Sequence, residues 1–208
     1  QAMKNFKLKL SRHLFCAPYA KLILLLSFSM LSACSSDDLK TIEEVQIEGG
    51  HQVQRTDGDF EFKYGLFNDQ GQPTTEFKQG DIIIFSFWIK NDTEQYWDLL
   101  QSEYKDFFRV YKLEGIAHQV DMGQPHDGMF FTKQLGVEPS SDKVLKFELP
   151  WIVPESAKLD KTLWKQGRNA PPLEKGVYKT TFDQSFDFRI GGQTYETALL
   201  SFIIDFTV

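Results

Sequence analysis

The chain has 208 residues, of which 41% are hydrophobic and 25% charged, and its formal net charge is -6. That length suits one domain of ordinary size with a modest extension, and the composition excludes both a disordered tail protein and a multi-span membrane protein. Nineteen Phe, seven Tyr and four Trp against eight Pro favour strands over helices, because aromatic rings fill a pleated, half-buried surface.

In chain order, residues 3–33 read first, as a cleaved signal peptide. Met3 opens a basic stretch (Lys4, Lys7, Lys9, Arg12), and Leu22 to Leu31 is an apolar run broken only by Ser27 and Ser29, the order of a secretory leader. Ten helical residues span about 15 Å, half the hydrocarbon thickness of a bilayer, so the run is too short for a permanent span. It ends in Leu31, Ser32, Ala33 and Cys34. This resembles the lipobox of bacterial lipoproteins, which implies that the Cys34 thiol is acylated and becomes the mature N-terminus. Ser35, Ser36, Asp37 and Asp38 follow. A serine and acidic residues directly after the lipidated cysteine are similar to the export signal of Bacteroidetes-type surface lipoproteins, which implies the outer membrane and its external face, the alternatives being a plain polar tether and an inward-facing position.

Five of the 23 basic residues (Lys4, Lys7, Lys9, Arg12, Lys21) and no acidic residue precede Cys34, which leaves 18 basic against 29 acidic side chains from there on. A body so acidic is repelled by phosphate backbones, so no nucleic-acid partner is expected. Cys16, the other cysteine, lies inside the leader, and the body is expected to fold without a disulfide on its own core.

Residues 34–58 read as a tether with room for a first strand, and residues 59–208 as the folded body. Phe60, Phe62, Tyr64 and Leu66 alternate with Glu61, Lys63 and Gly65, one apolar face and one mixed face. After a turn at 68–73, Ile82 to Lys90 is apolar on both faces, which marks a central strand and places Trp88 in the core. Tyr96 to Leu100, Phe107 to Leu113, Ile116 to Asp121, Met129 to Leu135, Val144 to Leu149 and Gly176 to Asp183 follow as strands. A last hairpin is expected from Phe186 through Gly191 and Gly192 into one long strand whose face holds Ala198, Leu200, Phe202, Ile204, Phe206 and Val208. About nine strands with turns every 8 to 15 residues, and no helical periodicity beyond 155–165, predict an all-β antiparallel sandwich.

Leu173, Gly176 and Tyr178 have the spacing L-x-x-G-x-Y, which resembles the tyrosine corner of immunoglobulin-like domains and implies a Tyr178 hydroxyl bonded to the chain a few residues upstream. Phe85 to Thr93, then Phe107 to Tyr111 with Gly115, Val137 to Pro139 ahead of Leu145 to Phe147, and Gly176 to Tyr178 are together similar to the intracellular proteinase inhibitor family of BsuPI type, over roughly residues 60–208. The resemblance implies an immunoglobulin-like β-sandwich and hints at protease binding. A long insertion between Pro150 and Pro172 and the absence of a recognisable inhibitory loop depart from it.

Catalytic chemistry is sparse in the sequence. His118, Asp121, His126 and Asp127 fit no zinc spacing, no nucleophile motif occurs, and Gly191 with Gly192 reads as a hairpin turn and not a phosphate cradle. Asp57 with Asp59, and Glu43 with Glu44, are read as solvated charges. No catalytic residue, metal or cofactor is therefore expected. The segment 150–172 is long for a sandwich loop and carries Trp151, Trp164, Lys165 and Arg168; exposed, these would form an aromatic and basic patch for a protein or an acidic glycan. Folded back, the two Trp would instead close one end of the sandwich. The expected role is a non-catalytic binding or accessory module held on the membrane by its lipid. A glycan hydrolase of the envelope, betrayed by a cleft with paired carboxylates, and a BsuPI-like protease inhibitor are the alternatives.

Overall fold

The computed structural model describes residues 50–100, 106–125, 135–139, 143–152 and 170–208, together with the backbone of the short strands at 43–46, 103–104 and 129–130. Cys34, His126, Asp127, Trp164, Lys165 and Arg168 lie outside the described residues. Among the described residues there is no helix, and all the strand ladders are antiparallel. The protein is an all-β antiparallel sandwich.

Four consecutive strands, β1 (Glu43–Gln46), β2 (Gln52–Asp57), β3 (Phe60–Phe67) and β4 (Ile84–Asn91), form a meander. The later β11 (Val144–Pro150) pairs with β4 and completes the first sheet in the order β1-β2-β3-β4-β11. The expected central strand is thus central, and the sheet begins upstream of residue 59, inside the segment read as a tether with room for a first strand, which holds both β1 and β2. Between β4 and β11 the chain leaves this sheet for β5 (Trp97–Leu99), β6 (Glu103–Tyr104), β7 (Arg109–Glu114), β8 (His118–Gly123), β9 (Met129–Phe130) and β10 (Leu135–Val137). It then ends in β12 (Val177–Gln184), β13 (Asp187–Ile190), β14 (Gln193–Glu196) and β15 (Leu200–Thr207). A second sheet runs β15-β12-β7-β8, a third β10-β5-β13-β14, and β6 pairs with β9.

Period-two alternation explains the layers. On β3 the residues Phe60, Phe62, Tyr64 and Leu66 are buried, and on β15 every second residue from Leu200 to Phe206 is. These faces meet as an aromatic core: Phe87 stands edge-on to Phe182 and Phe202 at 5.4 Å each, and Tyr64 to Phe182 at 5.1 Å. Edge-to-face pairs suit the ring quadrupole. Phe60 stacks on Phe188 of β13 at 4.1 Å, which fastens the third sheet to the first. A polar bond crosses the core, between the buried Tyr64 Oη and Thr180 Oγ1 at 2.6 Å.

Three expectations need correction. The 193–208 region is not one strand: β14 belongs to the third sheet, β15 to the second, and the chain crosses between them at 197–199. The crossing is held from far away, because Asp57 Oδ2 accepts the Ala198 N–H at 2.7 Å while its Oδ1 accepts the Tyr195 hydroxyl. Asp57 is therefore a buried structural acceptor, 2% exposed, and not a solvated charge. Trp88 is half-buried on the outer face of the first sheet, with Lys63 Nζ 4.7 Å from its ring centroid, and is not core; the inner side of β4 is already filled by Phe85, Phe87 and Ile89.

Candidate functional site

The residues singled out by the sequence fall in separate places. Trp151 directly follows β11, is 2% exposed, packs 6.1 Å from the Phe85 ring, and donates its indole N–H to Pro171 O at 2.9 Å. A buried indole with its one donor satisfied holds both ends of the 150–172 segment together and offers nothing to a partner. The pairing of Trp151 with Trp164 as a binding patch is corrected to that extent. The other members of that patch, Trp164, Lys165 and Arg168, lie outside the described residues, as does Cys34.

Tyr178 sits at a corner of the expected kind. Its ring is fully buried and stacks on Phe206 at 5.3 Å, and its hydroxyl donates to Glu174 O at 2.6 Å, four residues upstream. The bond pins the entry of β12, and Gly176 exchanges backbone bonds with Val208 beside it. Burial raises the Tyr178 pKa above its ordinary value of 10. Burial likewise keeps the Tyr195 and Tyr64 phenols protonated well above that value, reinforced at Tyr195 by its bond to the Asp57 carboxylate.

A second fixed point was legible only as a turn. Asn91 is fully buried at the end of β4, where its amide donates to Gln95 O at 2.7 Å and to Val137 O at 3.0 Å. Its Oδ1 accepts both the Thr93 N–H and the Thr93 hydroxyl. The sequence signal, Lys90-Asn91-Asp92-Thr93, announces an Asx turn; the reach to β10 has no local signature.

The histidine and aspartate cluster separates on inspection. Asp121 accepts Arg109 at 2.6 Å through Oδ2 and the Gly123 N–H at 2.7 Å through Oδ1, so both oxygens serve the β7–β8 hairpin. There Met122 bulges out between the pairs Val110 with Gly123 and Tyr111 with Asp121. His118 is exposed and faces Glu114 at 3.4 Å. Among the described residues no three His, Cys, Asp or Glu side chains stand close enough to share a metal.

Two open hollows are lined by described residues. One, of about 460 Å³, lies between β10 and β11 and is lined by Gly136, Glu138 and 143–146. Its ionic groups are engaged with neighbours: Lys143 with Glu138, and Lys146 with Glu148 at 3.1 Å. The other, of about 490 Å³, lies beside the turn at 68–71 and is lined also by Lys78, Gly80, Asp81 and Ile82. There Asp81 Oδ2 accepts the Lys78 N–H and Asn68 Oδ1 accepts two backbone N–H groups of its own turn. Glu138, Asp81 and the Asn68 amide oxygen are thus spent on structure.

No family model, curated protein or solved structure matches this chain. What the geometry offers is a rigid scaffold whose polar anchors, Asn91, Asp57 and Tyr178, hold loops in place.

Proposed function

We propose that the protein is a lipoprotein of the bacterial outer membrane, carried on the external face, whose sandwich serves as a non-catalytic binding or accessory module. The observation that carries this reading is the sequence Leu31-Ser32-Ala33-Cys34 at the end of a basic and then apolar leader. Nine residue steps separate Cys34 from Glu43, the first residue of β1, so the sheet is held within about 30 Å of the lipid even with the chain fully extended. Two or more acyl chains anchor durably, at about 0.8 kcal/mol per buried CH₂. The Tyr178 corner and the Asn91 turn support an immunoglobulin-like reading of the sandwich, a scaffold used widely for recognition through its loops.

The test is Cys34→Ala in the full chain, followed by membrane fractionation, metabolic labelling with a fatty-acid probe, and protease shaving of intact cells. We expect the wild type to be membrane-bound, labelled and shaved, and the variant to lose the label. A variant that still takes the probe sinks the lipid assignment, and a labelled wild type that resists shaving sinks the external placement.

A further inference from the structure

β15 is an edge that little in its own sequence protects beyond the single charge of Asp205. Sheet edges are normally blunted by lysine, proline, bulges or brevity, because a free row of N–H and C=O groups templates another strand. The other edges follow that rule. β11 carries Lys146 and ends in Pro150, β8 is broken by its bulge, and β1, β10 and β14 have four residues or fewer. β15 has eight residues, Leu200–Thr207, without lysine, proline or bulge.

The direction of its backbone groups follows from the hydrogen bonds at its end. Val208 and Gly176 exchange bonds, so the even-numbered residues of β15 pair with β12. Thr207 instead bonds away from β12, accepting the Phe77 N–H and donating to Thr75 O. By the alternation of an antiparallel ladder, Ser201, Ile203 and Asp205 also turn their backbone groups outward. Beyond Thr207 the edge is capped, and between 201 and 205 no described segment pairs with it. All three side chains are exposed, Ile203 by 48%.

We infer that this edge is a homodimer interface, in which β15 pairs antiparallel with β15 of a second copy about a twofold axis through Ile203. In that register Ile203 faces its twin and Ser201 faces Asp205 of the copy, each facing pair exchanging two backbone hydrogen bonds. An isologous contact must be self-complementary, and this one is: the only charged side chain of the edge meets a serine hydroxyl rather than its own copy. The register is also singled out. Shifted one way, Asp205 falls opposite Leu199, which lies outside the strand; shifted the other, Ser201 falls opposite Thr207, whose groups are taken by Thr75 and Phe77. The pairing extends the second sheet across both molecules and covers the one large apolar side chain the edge exposes, Ile203.

The test is sedimentation of the full chain in detergent over a range of protein concentrations, for the wild type and three variants. Ile203→Lys puts two ammonium groups on the axis and is expected to raise the dimer dissociation constant at least tenfold. Ser201→Lys sets each new ammonium opposite Asp205 of the copy and is expected to lower it several-fold, a gain that Asp205→Asn in the same chain removes. Clumping of a damaged fold is not reversible on dilution and is not undone by Asp205→Asn, so a reversible gain in the Ser201→Lys arm decides even if Ile203→Lys folds poorly. A wild type that stays monomeric at every concentration, whether because the edge is idle or because it serves an unrelated peptide, overturns the inference. So does a Ser201→Lys variant that associates no more tightly than the wild type.

Discussion

The Asn91 side chain makes four hydrogen bonds: two donated to the carbonyls of Gln95 and Val137, and two accepted from Thr93. Removing it takes a donor from the buried Val137 carbonyl and the acceptor from the Thr93 N–H and hydroxyl, and each such group left unpaired costs about 1–3 kcal/mol. Asn91→Ala is therefore expected to destabilise the fold by about 3 kcal/mol, read as a lowered urea midpoint at unchanged slope. Asn91→Asp keeps the acceptor for Thr93 but turns a carboxylate toward two carbonyls, and should do no better; a variant within about 0.5 kcal/mol of the wild type would remove Asn91 from the list of anchors. At this scale the sequence is readable where the bond is local and silent where it is not. The Asx turn at 91–93 and the Tyr178 corner both close within four residues and announce themselves. The bonds from Asn91 to Val137 and from Asp57 to Ala198 span 46 and 141 residues, and no pattern on either strand signals them. Trp88 was misplaced for a related reason: hydrophobicity on both faces of β4 identifies a central strand without saying which face is capped by the opposite sheet.

The β2–β3 hairpin shows what an element demands of one residue. Its two-residue loop, Gly58 and Asp59, has positive φ only at Gly58, +57°, the pattern of a type II′ turn with glycine first. A Cβ there would also stand 2.5 Å from Tyr195 Oη, displacing the hydroxyl that Asp57 holds. Gly58→Ala is expected to cost about 1–3 kcal/mol from backbone strain alone, and more through the disturbed Asp57 junction, whereas Gly191→Ala, at the equivalent turn of β13–β14 with open space around it, should cost the strain only. Thermal unfolding of both variants measures the difference; equal costs would mean that the Tyr195 contact carries no weight. The hairpins, the turn at 68–73 and the strands at 60–67 and 144–150 were all legible, because period two and turn chemistry are local. The break at 197–199 was not, since apolar alternation runs through Ala198 and Leu200 without interruption, while the bonds that hold the crossing, Asp57 to Ala198 and Thr197 to the Phe186 backbone, come from other strands and turns. Phe108, buried at φ 63°, is another strained backbone that local propensity would not choose; its ring stands 5.6 Å from both Tyr64 and Phe85, and burial of that area offsets the strain.

Across the molecule, three phenols fix the fold: Tyr64 to Thr180 and Tyr195 to Asp57 join separate sheets, and Tyr178 to Glu174 closes a corner. All three have pKa values raised above 10, chiefly by burial. A group that holds its proton more firmly in the fold than in the unfolded chain contributes stability that is intact below the unfolded value, near 10, and is lost as pH climbs through the folded value. The urea midpoint is therefore expected to hold level from pH 7 to 9 and to fall from about pH 10 upward. Tyr64→Phe and Tyr195→Phe should start from a lower midpoint and fall less steeply above pH 10. An unchanged alkaline slope in both variants would assign the loss to other groups.

The antiparallel meander of β1 to β4 has a further consequence for a chain that emerges from its N-terminus onward. Those strands are neighbours in the chain and have everything needed to pair early, yet the rings they line up, Phe60, Phe62, Tyr64 and Phe87, find much of their cover on Phe182, Phe186, Phe188 and Phe202. Until the last thirty or so residues arrive, a finished sheet presents an oily aromatic wall to its surroundings, the state in which growing polypeptides clump. Contacts this distant in sequence also make closure slow. A transport chaperone that shields the wall during passage would thus matter more to yield than any stabilising substitution in the finished sandwich, and a stop codon shortly before β15 would give an insoluble product rather than a weakened one.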